Sequence, residues 1–133
     1  MTFSVLQIQE YTTSLTQYIR ATLIHAADLN NPCLDFENYM NWAKLITQEF
    51  HDQTLAEKDA GLPVTGFLQY KNELGFYNGQ KFFSGTFPGL MTGVLVMPLF
   101  EIIKDFFPEI NLVRAIKKNL KKVEEKIAEL SKA

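Results

Sequence analysis

Six apolar residues, Val113, Ile116, Leu120, Val123, Ile127 and Leu130, step by 3, 4, 3, 4 and 3 along the last stretch of the chain. That spacing lines one side of a helix with apolar groups and leaves Lys117, Lys118, Lys121, Lys122, Glu124, Glu125 and Glu129 on the other. An isolated helix of this kind is marginal in water, so the seam demands a second packed surface. It is shorter than three full heptads and cannot establish a free coiled coil. Either the body of the same chain or a helix partner from another molecule must cover it.

The rest of the chain carries the same period. Val5, Ile8, Leu15, Ile19 and Leu23 predict a helix over Ser4–Leu29, in a segment without Gly or Pro. Asn30-Asn31-Pro32 ends it, because a residue before proline is pushed out of the α region. Asp35 then reads as the N-cap of a second helix, with Glu37 in its first turn and Phe36, Tyr39, Met40, Ala43, Ile46 and Phe50 as its apolar stripe. Gly61-Leu62-Pro63 stops that helix. Residues 64–86 show poor alternation and several glycines, and read as an ordered loop in which Asn78-Gly79 marks a turn. Pro88 opens a third helix to about Phe107, with a kink expected near Pro98. No strand-rich region or internal repeat occurs, so the fold class is all-α. The 133 residues, 47% of them apolar and 21% charged, suit a packed domain over 1–110 followed by a basic amphipathic helix over 111–133.

Charge and cysteine usage exclude several classes. Residues 113–133 carry a net charge of +4 and residues 1–112 a net −6, which reads either as an arm that meets an acidic partner or the chain's own acidic body, or as a solvated helix face. The basic arm lacks interleaved aromatics, so no nucleic-acid partner is expected. The 19 residues between Lys81 and Glu101 are free of charge, but Ser84, Gly85, Thr86, Pro88, Gly89, Thr92, Gly93 and Pro98 dilute them below a membrane span. Cys33 is the single cysteine, which rules out an intrachain disulfide and a four-cysteine zinc site. The start, Met1-Thr2-Phe3-Ser4, lacks the basic region of a secretory signal, so a reducing cytoplasmic compartment is the expectation. Among the chemistry-bearing residues, His25 and Asp28 sit three apart on one helix face; a structural hydrogen bond and a shared metal ion are the two readings of that pair. No glycine-rich phosphate loop and no Ser or Cys nucleophile motif is present.

His25-Ala26-Ala27-Asp28-Leu29-Asn30-Asn31-Pro32 resembles the HAAD-[IL]-x-NP segment of the class I 3′,5′-cyclic-nucleotide phosphodiesterases. Tyr39 and Trp42 are similar to that family's L-x-x-Y-x-x-W, Gln48-Glu49-Phe50-His51 to its E-E-F-F, and Gly61-Leu62-Pro63-Val64 to its G-L-P-[VI]-S. Met97-Pro98-Leu99-Phe100-Glu101 resembles its H-P-L-W-E, with Met97 in place of the histidine. The likeness runs over about residues 15–107, with a longer loop between Phe67 and Pro88. It implies the C-terminal helical half of a catalytic domain that hydrolyses cyclic AMP or cyclic GMP with zinc and magnesium, which lower the pKa of a bridging water and neutralise phosphoryl charge. By resemblance, Asp28 is a metal-ligating aspartate with His25 orienting it, and Asn31, Tyr39, Trp42 and Phe50 line the nucleotide pocket.

The departures set the functional expectation. The family's histidine motif and HD motif lie N-terminal to HAAD, whereas the 24 residues before His25 contain no histidine. One aspartate cannot hold two metals. Counting thirteen back from Glu101, where the family has its purine-selecting glutamine, reaches Pro88, and the clamp phenylalanine three residues on becomes Met91. Pro88 has neither a side-chain donor nor an acceptor, so the selectivity position is lost and cyclic-nucleotide recognition is expected to be lost or degraded; Gln80 is a substitute only if the extra loop follows it. The expectation is therefore a hydrolase-family chain that is inactive alone, binds zinc and magnesium weakly or not at all, and acts as a structural or docking subunit of a larger assembly. Its protein partner would cover the faces left by the missing N-terminal half. The alternative is one piece of an active split phosphodiesterase completed by another chain.

Overall fold

The computed structural model describes residues 5–64, 72–85 and 96–132, with side chains from residue 13 onward. Its element order is α1 (Val5–Asp28), a 3-10 turn (Asn31–Cys33), α2 (Phe36–Asp59), α3 (Glu73–Ser84), α4 (Met97–Phe106) and α5 (Val113–Leu130), with no strand among the described residues. The all-α expectation holds. Local chemistry sets the boundaries of α2. Asp35 accepts from the Asn38 N–H at 3.1 Å and from the Asn38 amide at 2.7 Å, and these two bonds hold its carboxyl below the usual carboxylate range. At the far end Gly61 adopts φ +67°, a left-handed conformation that costs glycine nothing. The Leu62 and Gly61 amides then close back on the carbonyls of Glu57 and Lys58 at 2.8 and 3.1 Å, a Schellman ending.

One expectation is corrected. Within residues 64–86, 73–84 form α3 rather than a loop, and Asn78-Gly79 lies inside that helix instead of making a turn. The Asn72 side chain caps α3 by accepting from the Gly75 N–H at 2.8 Å, and Asn78 donates to the Leu74 carbonyl at 2.9 Å, stitching the helix it was expected to break. Each helical glycine costs about 1 kcal/mol. Burial of Phe76 against Tyr39, Met40, Ala43 and Val123 outweighs that cost. Pro98 stands in the first turn of α4, which begins at Met97. The expected stretch from Pro88 to residue 95 lies outside the described residues, as does Met91.

The core has two adjoining parts, and α5 belongs to both. Val113 and Ile116 pack with Ala26 of α1 and with Met97, Phe100 and Ile103 of α4. Further along the same helix, Val123 and Ile127 pack with Tyr39, Met40 and Ala43 of α2 and Phe76 of α3. The heptad seam therefore finds its partner in the chain's own body. Lys81–Glu124 (3.0 Å) and Lys117–Glu101 (3.9 Å) join the basic helix to the acidic remainder across exposed positions. Pairs of that kind contribute about 0–1 kcal/mol, so apolar burial fixes α5 in place. On α1 the apolar face behaves differently along its length. Ala26 is buried, whereas Leu15, Ile19 and Leu23, on the same face by helical spacing, stand exposed among the described residues. Among the described residues no helix is long and apolar enough to cross a membrane.

Candidate functional site

The meeting point of α2, α3 and the 3-10 turn encloses a cleft of about 170 Å³. Helical spacing on α2 aims Tyr39, Ala43, Ile46, Thr47 and Phe50 into it. Gln80, Phe83 and Ser84, on one face of α3, form the opposite wall, and Asn31 and Pro32 of the turn close one end. Phe50 and Phe83 face each other with ring centroids 6.0 Å apart and planes at 41°. The lining is mainly apolar, with a carboxamide on each of two walls, which is the pattern of a site for a flat ring bearing polar edges. Its volume falls below the roughly 300–1,000 Å³ of sites that enclose a complete drug-sized ligand.

Tyr39 and Ser84 fix the relation of the two long walls. The Tyr39 hydroxyl and Ser84 Oγ share a hydrogen bond of 2.8 Å between buried side chains 45 residues apart. Burial pushes the Tyr39 hydroxyl up to about 12, so it stays neutral across the physiological range. Tyr39→Phe is expected to cost about 1–3 kcal/mol in denaturant unfolding because it leaves the Ser84 hydroxyl buried and unpaired. Adding Ser84→Ala should recover most of the loss. A single variant as stable as the wild type would show that the pair contributes nothing.

The residues expected at the site separate into four groups. Asn31, Tyr39, Phe50 and Gln80 come together in the cleft. Trp42 does not join them: it flanks the cleft-facing stripe of α2 and is 50% exposed. Pro88 and Met91 lie outside the described residues. Asp28 ends α1, one residue before Leu29 of the cleft wall, and its side chain and that of His25 are exposed. Phe83 and Ser84 are additions that sequence reasoning missed. For Phe83 the signal was present, since it stands three residues after Gln80, the glutamine-to-phenylalanine step that the resemblance implies.

These residues do not by themselves fit the zinc and magnesium that the resemblance implies. Among the described residues no group of three or more His, Cys, Asp or Glu side chains is placed to hold a metal ion. Cys33 belongs to no such group, and burial pushes its thiol up to about 12, which keeps it protonated in this structure. Asp28 is one carboxylate where a protein-held metal pair draws on several.

Comparison with known proteins places the chain in a family. A model of the 3′5′-cyclic nucleotide phosphodiesterase family matches residues 3–116. The chain is 30% identical over 102 residues to the 3′,5′-cyclic-AMP phosphodiesterase 4 of Dictyostelium discoideum, covering 76% of this chain and 9% of that protein. It is 32% identical over 88 residues to the high affinity cGMP-specific 3′,5′-cyclic phosphodiesterase 9A of Drosophila melanogaster, covering 66% of this chain and 5% of that protein. Over 46 residues it is 44% identical to the human high affinity cAMP-specific and IBMX-insensitive 3′,5′-cyclic phosphodiesterase 8A, covering 35% of this chain and 6% of that protein. The chain thus spans less than a tenth of the length of each of these relatives. No solved structure matches it. With most of its residues matched by the family model, the chain belongs to the 3′5′-cyclic nucleotide phosphodiesterase family.

Proposed function

We propose that these residues carry the base-binding side of a cyclic-nucleotide phosphodiesterase site and are inactive alone, with turnover requiring metal ligands from further polypeptide. The observation that carries this reading is the convergence of Asn31, Phe50, Gln80 and Phe83 on one cleft sized for a single ring system. In this reading Gln80 takes the polar contact with the purine edge, and Phe50 and Phe83 supply the apolar walls. The resemblance pointed to Pro88 for that contact, a side chain with neither donor nor acceptor. A glutamine carboxamide offers both, and can match the exocyclic groups of adenine or guanine by rotating its amide. The relatives' names include both cyclic-AMP and cyclic-GMP enzymes, in keeping with a contact that serves either purine.

The exposed Asp28 at the end of α1 favours completion by another polypeptide over a purely structural role. Its carboxylate stands in solvent, next in the chain to a cleft residue. The exposed Leu15, Ile19 and Leu23 on the core-facing side of α1 supply the apolar surface such a partner would cover. Calorimetric titration of the chain with cyclic AMP and with cyclic GMP tests the base-binding reading. Micromolar binding is expected, weakened about tenfold or more by Gln80→Ala, because each unmatched buried polar group forfeits roughly 1–3 kcal/mol. No binding, or binding indifferent to Gln80, would overturn it.

A further inference from the structure

Asn119 is a buried polar residue on the side of α5 that faces the core, between the two apolar parts that α5 joins. Its side-chain amide donates to the Pro32 carbonyl at 2.9 Å and to the Leu34 carbonyl at 2.7 Å, across 87 and 85 residues of sequence. Those carbonyls bracket Cys33, the residue that ends the 3-10 turn. Asn31 and Pro32 on one side line the cleft, and Asp35 on the other caps the helix that brings Tyr39, Ala43 and Phe50 into it. The turn's own backbone bonds, Cys33 N–H to Asn30 and Leu34 N–H to Asn31, close it locally at 2.8 and 3.2 Å. Neither of them ties it to the rest of the fold. Asn119 does, with one group holding two carbonyls that would otherwise face an apolar core unpaired.

We propose that Asn119 is a positioning residue for the cleft, which by gripping the Pro32 and Leu34 carbonyls sets Asn31 against the α2 and α3 walls. The inference rests on the base-binding reading above for its functional consequence, though not for its geometry. A purine-sized cleft bounded by a three-residue turn tolerates little drift at that end, and α5 is the rigid element to which the turn is anchored. Replacing the amide by a carboxylate of the same size, Asn119→Asp, turns the double donor into a group that repels both carbonyls or protonates to hold one.

Two readouts test it, with Ile127→Ala as the control that loosens the same helix away from the turn. Backbone hydrogen exchange is measured at Cys33 and Leu34, and affinity for cyclic AMP is measured by calorimetry well below the melting temperature of each variant. The proposal expects Asn119→Asp to accelerate exchange at both amides by about tenfold or more beyond the control, and to weaken the nucleotide by a similar factor. Asn119→Leu, should Asn119→Asp fail to fold, is read in the same way. Exchange at Cys33 and Leu34 that follows global stability equally in variant and control would overturn the proposal, as would unchanged affinity. If the wild-type chain binds no nucleotide, the base-binding reading falls and the exchange rates alone decide whether Asn119 positions the turn.

Discussion

Incubated with zinc or manganese ions, the purified chain is expected to turn over neither cyclic AMP nor cyclic GMP, leaving rates indistinguishable from those of the metal solution. Phosphodiester hydrolysis by a metal pair needs both ions held at fixed separation and a water whose pKa they lower. Asp28 offers one exposed carboxylate, and no cluster of metal-binding side chains forms around it among the described residues. A positioned acid that protonates the leaving oxygen contributes a further factor of about 10²–10⁴ in enzymes of this kind. His25 and His51 are the only histidines, and both are exposed, so neither sits in a water-excluded site where such a transfer would be efficient. Chromatographic separation of the 5′-monophosphate from the cyclic nucleotide measures the rate directly. Turnover above background that disappears in Asp28→Ala would show that the chain assembles a working metal site.

Ile116→Ala should produce a larger loss of stability than either Tyr39→Phe or Ile127→Ala. Ile116 has no exposed surface and packs where α1, α4 and α5 meet, with Ala26, Phe100, Ile103 and Val113 around it. Removing its side chain forfeits the transfer free energy of the lost carbons and leaves a cavity that three helices cannot easily collapse. The cost expected is about 2–5 kcal/mol in equilibrium denaturation, a large share of the roughly 5–15 kcal/mol that stabilises a typical domain. Ile102→Ala, one residue from the core position Ile103 but exposed, should change stability by about 0.5 kcal/mol or less. Equal effects at the two positions would mean that α4 and α5 do not pack through Ile103 and Ile116 in solution.

What the sequence made legible follows from how far its signals reach. Asp35, Gly61 and the Val113–Leu130 seam act on their own turn or their own helix, and each is where the pattern put it. The 73–84 helix was hidden because its local signals, Gly75, Asn78 and Gly79, favour turns. The burial of Phe76 that overrides them depends on Val123, far along the chain. The site divides in the same way. The resemblance brought Asn31, Tyr39 and Phe50 to notice as members of motifs, and they do line the cleft. Trp42 belongs to the same motif as Tyr39 but lies beside the stripe. Helical spacing admits either Trp42 or Ala43 as the next inward position after Tyr39, and only the packing of α2 against α3 selects the small Ala43. Ser84 and Asn119 act through bonds spanning 45 and 87 residues, and no short window of sequence contains both ends. For Asn119 the one local hint was a carboxamide on the buried side of a helix whose other polar residues are charged and face solvent.

A two-dimensional NMR titration of the chain with cyclic AMP, following the side-chain amides of Asn31 and Gln80 and the ring protons of Phe50 and Phe83, tests the central claim most directly. Binding in the cleft should shift all four residues along a common saturation curve, and ring-current shifts from the purine should be largest at Phe50, Phe83 and the Gln80 amide. Saturable shifts confined to α5 or to the α1 surface, or no shifts at millimolar nucleotide, would contradict it.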